Sequence, residues 1–355
     1  MAAKQIKILI TGSGAPGIAG TVYSLRNNYD NRTVCVIGTD MKTGVAGQYL
    51  CDDFDVIPPA CNVNNYLNRL LELSVDKKID VILPQNTAEL EILARNKQIF
   101  EQVGTKIIIS SLQALELSNN KFNLMNFCRS KGIPTAGFFL TDNFEDLRKY
   151  AEELGWPDNR VVIKPPVSNG QRGMRIIDQR IDLKKAFYEQ KPNNLFIRMD
   201  SLYDIIGDKF PELIVMEYLP GDEYTADIFR NKHNTLVVPR KRLSIRSGIT
   251  FSGCVEKHEQ IMSFSEKLAE QIDLEYCFGF QFKLDEYGLP KILESNPRVQ
   301  GTMVLATFAG ANIIYSSIKA AIGEEIPDFK INWNTKLVRY WGALHILNNE
   351  IIEKI

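Results

Sequence analysis

Cysteine and histidine are few and scattered in this 355-residue chain, and long apolar runs are missing from it. Its six cysteines (Cys35, Cys51, Cys61, Cys128, Cys254, Cys277) show no C-x-x-C spacing, and its three histidines (His233, His258, His345) are too dispersed for a zinc site. Reduced thiols are therefore expected. No apolar stretch approaches the roughly 20 residues of a membrane span, and the run Ile6–Ile10 leads into turn residues instead of a signal-cleavage pattern. Forty-two Lys and Arg against 43 Asp and Glu leave a formal charge of -1, which gives nucleic acid and anionic membranes no general attraction. Any bound anion must be met by a local basic site. What remains is a globular composition, 45% hydrophobic and 24% charged, long enough for two or three cores, and a cytoplasmic setting is expected.

The first third alternates short apolar runs (Ile6–Ile10, Val34–Ile37, Val81–Leu83, Ile107–Ile109) with amphipathic stretches (Ile18–Arg26, Tyr66–Leu73, Leu90–Ile99). That rhythm predicts a parallel sheet covered by helices, an α/β Rossmann-like domain ending near residue 112. Strand-like runs prevail afterwards (Arg160–Lys164, Met174–Ile177, Leu213–Tyr218, Tyr224–Phe229, Thr235–Val238, Tyr276–Leu284), with helices expected at Phe144–Leu154, Glu259–Ile272 and Met303–Ile322. The second part reads as α+β.

Four stretches carry candidate chemistry. Gly12, Gly14 and Gly17 stand in G-x-G-x-x-G order between a strand and a helix, with Asp40 placed to grip a ribose. Alone they suit an NAD(P)-dependent oxidoreductase, or a tight strand-to-helix turn holding nothing. The second stretch, "VVIKPPVSNGQRGM", ends a strand in Lys164 and follows it with a glycine loop at 168–173 that can fold over phosphates while the lysine supplies a point charge. It is not a P-loop, because a strand follows it. The third, "LIVMEYLPGDEYTADI", offers strand backbone to a purine edge and, a few residues on, the carboxylate of Glu223 to a ribose hydroxyl. In the fourth, "FGFQFKLDEYGLPKILESNPR", a two-residue turn at Tyr287-Gly288 would place Gln281 across from Glu294 and Phe282 across from Leu293. Phe280, Phe282, Leu284 and Leu293 would then be buried, and Gln281, Lys283 and Glu294 would share the polar face, which Asn296 and Arg298 extend. Mg²⁺ takes hard oxygen ligands, with only one or two protein carboxylates among them.

In this order, with Lys121 ahead of them in "LSNNKFNLMNFC", the last three motifs resemble the ATP-grasp superfamily, in the form found in carbamoyl phosphate synthetase large subunits. The resemblance implies an α/β Rossmann-like pre-ATP-grasp domain at 1–112 and an α+β ATP-grasp fold at 113–325, with a lid at about 134–217 and an extension at 326–355. It implies that Lys121 and Lys164 contact ATP phosphates under the loop containing Ser168, Gly170 and Gly173. Met216 and Leu219 would bind adenine through backbone with Glu217 beside them, and Glu223 would hold the ribose. Gln281, Glu294 and Asn296 would ligate Mg²⁺ or Mn²⁺, and Arg298 would face the transferred phosphate. The opening glycines lose their NAD reading in such a protein. The implied chemistry is ADP-forming ligation of a small-molecule carboxylate to an amine or other nucleophile through an acyl phosphate. No nucleic-acid or membrane partner is implied, and a homodimer is left open. In "VVPRKRLSIRSG", Arg240, Arg242 and Arg246 recur at even spacing and would share a face, with Arg242 foremost, to hold the carboxylate substrate; a solvated basic edge strand is the other reading. A nucleotide-binding regulator without turnover remains a further alternative to the ligase.

Overall fold

In the computed structural model, residues 1–3, 169, 190–194, 247, 341, 349 and 355 lie outside the description that follows, among them Asn169 of the glycine loop. Five strands, β1 (Ile6–Ile10), β2 (Val34–Asp40), β3 (Asp53–Val56), β4 (Val81–Leu83) and β5 (Lys106–Ile107), form a sheet of order β3-β2-β1-β4-β5. All its pairings are parallel, as the alternating rhythm requires. Ile8, Leu9, Ile10, Val81, Ile82 and Leu83 have no exposed surface, the mark of strands covered on both faces. The expected single helix over Leu90–Ile99 is two helices, Thr87–Arg95 and Lys97–Gln102, meeting at Asn96. The first starts in a capping box, in which Asn86 and Glu89 each take up the other's otherwise unmet backbone N–H groups.

A second sheet consists of β6 (Phe138–Asn143), β7 (Val161–Lys164), β8 (Arg175–Ile177), β9 (Phe196–Ile197) and β10 (Lys209–Glu217), in the order β6-β10-β7-β8-β9. A third contains β11 (Glu223–Arg230), β12 (Thr235–Arg246), β13 (Ile249–Val255), β14 (Tyr276–Leu284), β15 (Pro290–Asn296) and β16 (Lys336–Val338), in the order β15-β14-β11-β12-β13-β16. β17 (Leu344–Leu347) and β18 (Glu350–Lys354) form a separate hairpin.

The chain divides into two compact units. The first holds 1–119, 223–281 and 295–355; the second holds 120–222 and 282–294. The first unit's core joins Ile18, Val22 and Leu25 of the N-terminal part to Leu305, Ala306, Ile313 and Ile318 near the C-terminus. The second unit's core includes Met125, Val162, Ile214 and Met216, with Leu293 packed on it.

Two expectations fail at glycines. The predicted helix Met303–Ile322 is broken into Val304–Phe308 and Ile313–Ala321, because Gly310 turns left-handed at φ 95° and Asn312 caps a fresh helix through its side chain. The β14–β15 turn is one residue longer than a Tyr287-Gly288 turn. Gly288 N–H donates to the Asp285 carbonyl and Asp285 N–H to the Leu289 carbonyl, with Gly288 at φ 81°. That three-residue loop, a type I turn closed by a left-handed glycine, moves the facing residues by one position. Ile292, not Leu293, is accordingly the fully buried residue beyond the turn.

Candidate active site

The second unit gathers most of the phosphate-side candidates. Lys121 begins the helix Lys121–Ser130, which Asn120 caps by accepting the Phe122 and Asn123 N–H groups at 3.0 and 3.1 Å. A fixed helix start places the lysine stem, and only 5% of the residue is exposed. Its Nζ donates to the Ser168 carbonyl at 2.7 Å and stands 3.5 Å from a Glu294 carboxylate oxygen. Lys164 closes β7 opposite Ile214 of β10, is 7% exposed, and donates to the Leu293 carbonyl at 3.1 Å. Two buried ammonium groups therefore stand around the segment that opens the glycine loop and the end of β15. Burying a cation costs free energy unless charge or dipoles meet it, so such a pair suits an anion that enters between carbonyl dipoles and one carboxylate. The loop turns through Gly170, Gln171 and Gly173, all at positive φ, with Met174 N–H donating to the Gln171 carbonyl.

Of the residues expected to meet adenine, Met216 pairs with Val162 and Phe138 and is buried, as is Leu219. Glu217 is fastened down. Its Oε2 accepts the Gly137 N–H at 2.9 Å, and Lys291 Nζ lies 3.2 Å from both its oxygens and 3.6 Å from Asp285. Asp285 is held below the ordinary carboxylate range: desolvation acts the other way, but the N–H groups of Leu289 and Tyr287 and the Lys291 ammonium together outweigh it.

The first unit holds Glu223, Arg242, Gln281, Asn296 and Arg298. Arg242 is ion-paired with Glu223 and donates from Nε to Thr250 Oγ1 at 2.9 Å and from Nη2 to the Gly248 carbonyl at 2.6 Å. Arg298 donates to Thr87 Oγ1 at 3.0 Å, to the Val299 carbonyl at 2.9 Å and to Asn296 Oδ1 at 3.3 Å. Arg240 and Arg242 keep the shared face and both reach Thr250 Oγ1, at 3.4 and 2.9 Å, while an irregularity of the β12–β13 pairing at Ser244 lies between them and Arg246. Arg240 is 2% exposed and bonded to Asp227 Oδ2 at 2.7 Å and Gln300 Oε1 at 3.1 Å, while Arg246 lies over the Phe251 ring at 4.3 Å. Burial pushes the Asp227 carboxyl upward, and Arg240 opposes this.

The candidate metal ligands divide between the units, Glu294 in the second and Gln281 and Asn296 in the first. The longer turn removes the reason for placing Gln281 directly across from Glu294. Among the described residues no cluster of three or more His, Cys, Asp or Glu side chains forms a metal site. Carboxylate and amide oxygens are each of the hard kind that Mg²⁺ takes, its other ligands being water and phosphate oxygens.

The opening glycines have their own occupants. A Cβ on Gly17 would stand 2.7 Å from the Gly301 Cα, and one on Gly20 2.9 Å from Val304. Gly14 N–H donates to Asp40 Oδ2 at 2.8 Å, so the carboxylate expected to grip a ribose closes its own loop. Sequence reasoning missed Thr87, Asp227, Gln300 and the fully buried Glu89. Glu89 accepts from Thr11 Oγ1 at 2.5 Å and Tyr66 Oη at 2.6 Å, and only the capping-box spacing Asn86-x-x-Glu89 could have signalled it.

Residues 8–108 match the PylC-like N-terminal domain, and residues 209–339 match the family described as ATP-grasp in the biosynthetic pathway with Ter operon. The carbamoyl phosphate synthase large chain of Corynebacterium glutamicum is 22% identical over 232 residues, 65% of this chain and 20% of that protein. The chain thus spans about a fifth of that relative's length. Formate-dependent phosphoribosylglycinamide formyltransferase of Bacteroides fragilis is 25% identical over 338 residues, 91% of this chain and 79% of that protein. Among solved structures, the ADP complex of N5-carboxyaminoimidazole synthetase from Staphylococcus aureus superposes with a TM-score of 0.67 at 17% identity, covering 94% of this chain and 82% of that one. Biotin carboxylase from Campylobacter jejuni also gives 0.67, at 20% identity over 92% and 73% of the two chains. With a parallel α/β domain leading and the lysine, glycine-loop and Glu-x-Asn-x-Arg elements following, the chain carries an ATP-grasp domain, matched by its family model at residues 209–339.

Proposed function

We propose that this protein is an ADP-forming ligase that joins a small-molecule carboxylate to an amine or other nucleophile through an acyl phosphate. The observation that carries the reading is the pair of buried lysines, Lys121 and Lys164, at the Ser168 carbonyl and beside Glu294. On this reading Met216 and Leu219 present backbone to adenine, Glu223 meets the ribose, and the loop with Ser168, Gly170 and Gly173 covers the phosphates. Residues 134–217 act as the lid, residues 1–112 shape the acceptor side, and residues 326–355 form an extension.

A carboxylate oxygen attacks the γ-phosphorus and the bond to the β-phosphate bridging oxygen breaks, releasing ADP. The amine then attacks the acyl carbon, inorganic phosphate leaves, and the amine gives up a proton. Lys121 and Lys164 offset the negative charge spread over the transferred phosphoryl group, and Arg298, fixed by Thr87, holds the phosphate end of the intermediate. Glu294, Gln281 and Asn296 would hold Mg²⁺, which supplies further charge neutralisation when bound. Closure of the loop would keep water from the acyl phosphate.

Carboxylate substrates labelled with ¹⁸O test the route. With pooled carboxylates, amines and Mg-ATP, the expected result is ADP release with one labelled oxygen per phosphate formed. Label that stays in the acid while ADP is released excludes the acyl phosphate; no Mg-ATP binding excludes the reading altogether.

A further inference from the structure

We propose that Arg242 is a positioning residue that aims the Glu223 carboxylate at the nucleotide ribose and ties that carboxylate to the turn between β12 and β13. The proposal rests on the ligase reading above for what Glu223 contacts. Its own support is the way the guanidinium is fastened. Nη1 takes Glu223 Oε1, Nη2 takes the Gly248 carbonyl at 2.6 Å, and Nε takes Thr250 Oγ1 at 2.9 Å. The side chains of Arg242 and Glu223 are only 6% and 19% exposed, so the ion pair is held largely away from solvent screening. Nη1 also stands 3.5 Å from Gln281 Oε1, at the limit of a hydrogen bond.

A planar guanidinium fixed along its edges has one orientation, and a lysine cannot reproduce it. A group so occupied is a bracket, whatever its remaining N–H groups meet. The ion pair engages one oxygen of Glu223, and the second oxygen accepts from the ribose hydroxyls. Gly248, whose carbonyl Arg242 holds, stands at φ 78°, a backbone conformation costly for other residues. Ribose occupancy and the placement of residues 248–250 are thereby linked through one side chain.

The test compares Mg-ADP with Mg-2′,3′-dideoxy-ADP by calorimetry, in wild type and in Arg242→Lys. Wild type is expected to prefer ADP at least tenfold, and Arg242→Lys to bring the ratio within threefold while dideoxy-ADP binds as before. A general structural loss would weaken both nucleotides alike, and that result, or an unchanged ratio, overturns the proposal. A second arm needs no nucleotide: in Glu223→Gln, amide hydrogen exchange in 248–250 should rise at least tenfold. Unchanged exchange there overturns the bracket while leaving the ligase reading intact. A wild type that binds neither nucleotide overturns both.

Discussion

Lysines in the second unit and arginines in the first solve opposite problems. Lys121 and Lys164 are buried, and each donates to a backbone carbonyl, that of Ser168 and that of Leu293, with the Glu294 carboxylate 3.5 Å from Lys121. Arg240 and Arg242 are instead locked to the carboxylates of Asp227 and Glu223. A carbonyl dipole leaves a cation's net charge in place, whereas a carboxylate paired with it cancels that charge. Burial of a basic residue is therefore not enough to mark a ligand site; the kind of partner decides.

The largest expected effects come from breaking the lysine side of this contrast. Lys164→Met and Glu294→Gln should each slow ADP release by about 10²–10³-fold, roughly 3–4 kcal/mol of lost transition-state stabilisation. Their urea midpoints should stay close to wild type, since Glu294→Gln keeps its volume. Steady-state turnover at saturating Mg-ATP checks this, and variants within a few-fold of wild type would remove these residues from the site.

On the arginine side the damage should fall on the fold. Arg240→Met leaves the fully buried Asp227 carboxylate without its cation and is expected to cost about 3–5 kcal/mol in chemical denaturation. Adding Asp227→Leu should recover much of that loss, because an apolar pair of similar volume carries no desolvation penalty. A single variant as stable as wild type would show that the pair is not matched as the geometry indicates.

How much of this the sequence revealed depended on distance along the chain. Strand Tyr276–Leu284 and helix Glu259–Ile272 fall where alternation and the 3.6-residue period put them. β13 was missed because Ile249–Val255 contains Ser252 and Gly253, and its burial comes from packing that no local pattern encodes. Of the site, the local signals were legible: a lysine at a strand end, glycines after it, acid and amide oxygens beside a hairpin. The partners were not. Arg298 and Thr87 are 211 positions apart, and nothing in either segment names the other. Even spacing in "PRKRLSIR" suggested one shared face, which Arg240 and Arg242 keep at Thr250, but the irregularity at Ser244 before Arg246 is set by the pairing of β12 with β13.

The glycine loop of the first unit offers a middle-sized test. Gly17→Ala puts a methyl 2.7 Å from backbone at Gly301, where no flexible side chain can yield, and should cost about 1–3 kcal/mol. The same loop should show no affinity for NAD(H) or NADP(H) by calorimetry. Nicotinamide binding comparable to that of Mg-ATP would reopen the dinucleotide reading of Gly12, Gly14 and Gly17.

The smallest effect concerns His258, which lies in the first unit, outside both charged clusters. Its Nδ1 accepts the Ile261 N–H at 3.5 Å at the start of helix Glu259–Ile272, and its ring meets Tyr224 edge-on at 5.3 Å. Burial pushes the imidazole below its ordinary value, with Glu256 acting weakly the other way. The unfolded chain therefore binds this proton more readily than the folded protein. The native state suffers no penalty above the unfolded value of about 6.5, and loses stability as pH falls through it toward the lower folded value. His258→Asn keeps an acceptor at the cap and removes the titration. Between pH 7.5 and 5 the melting temperature of wild type should fall slightly more steeply than that of the variant, and the two curves should run parallel above pH 7.5. The difference should correspond to less than about 1 kcal/mol, because the ring is partly in solvent. A variant whose melting temperature falls as steeply as wild type would show that His258 titrates alike in both states.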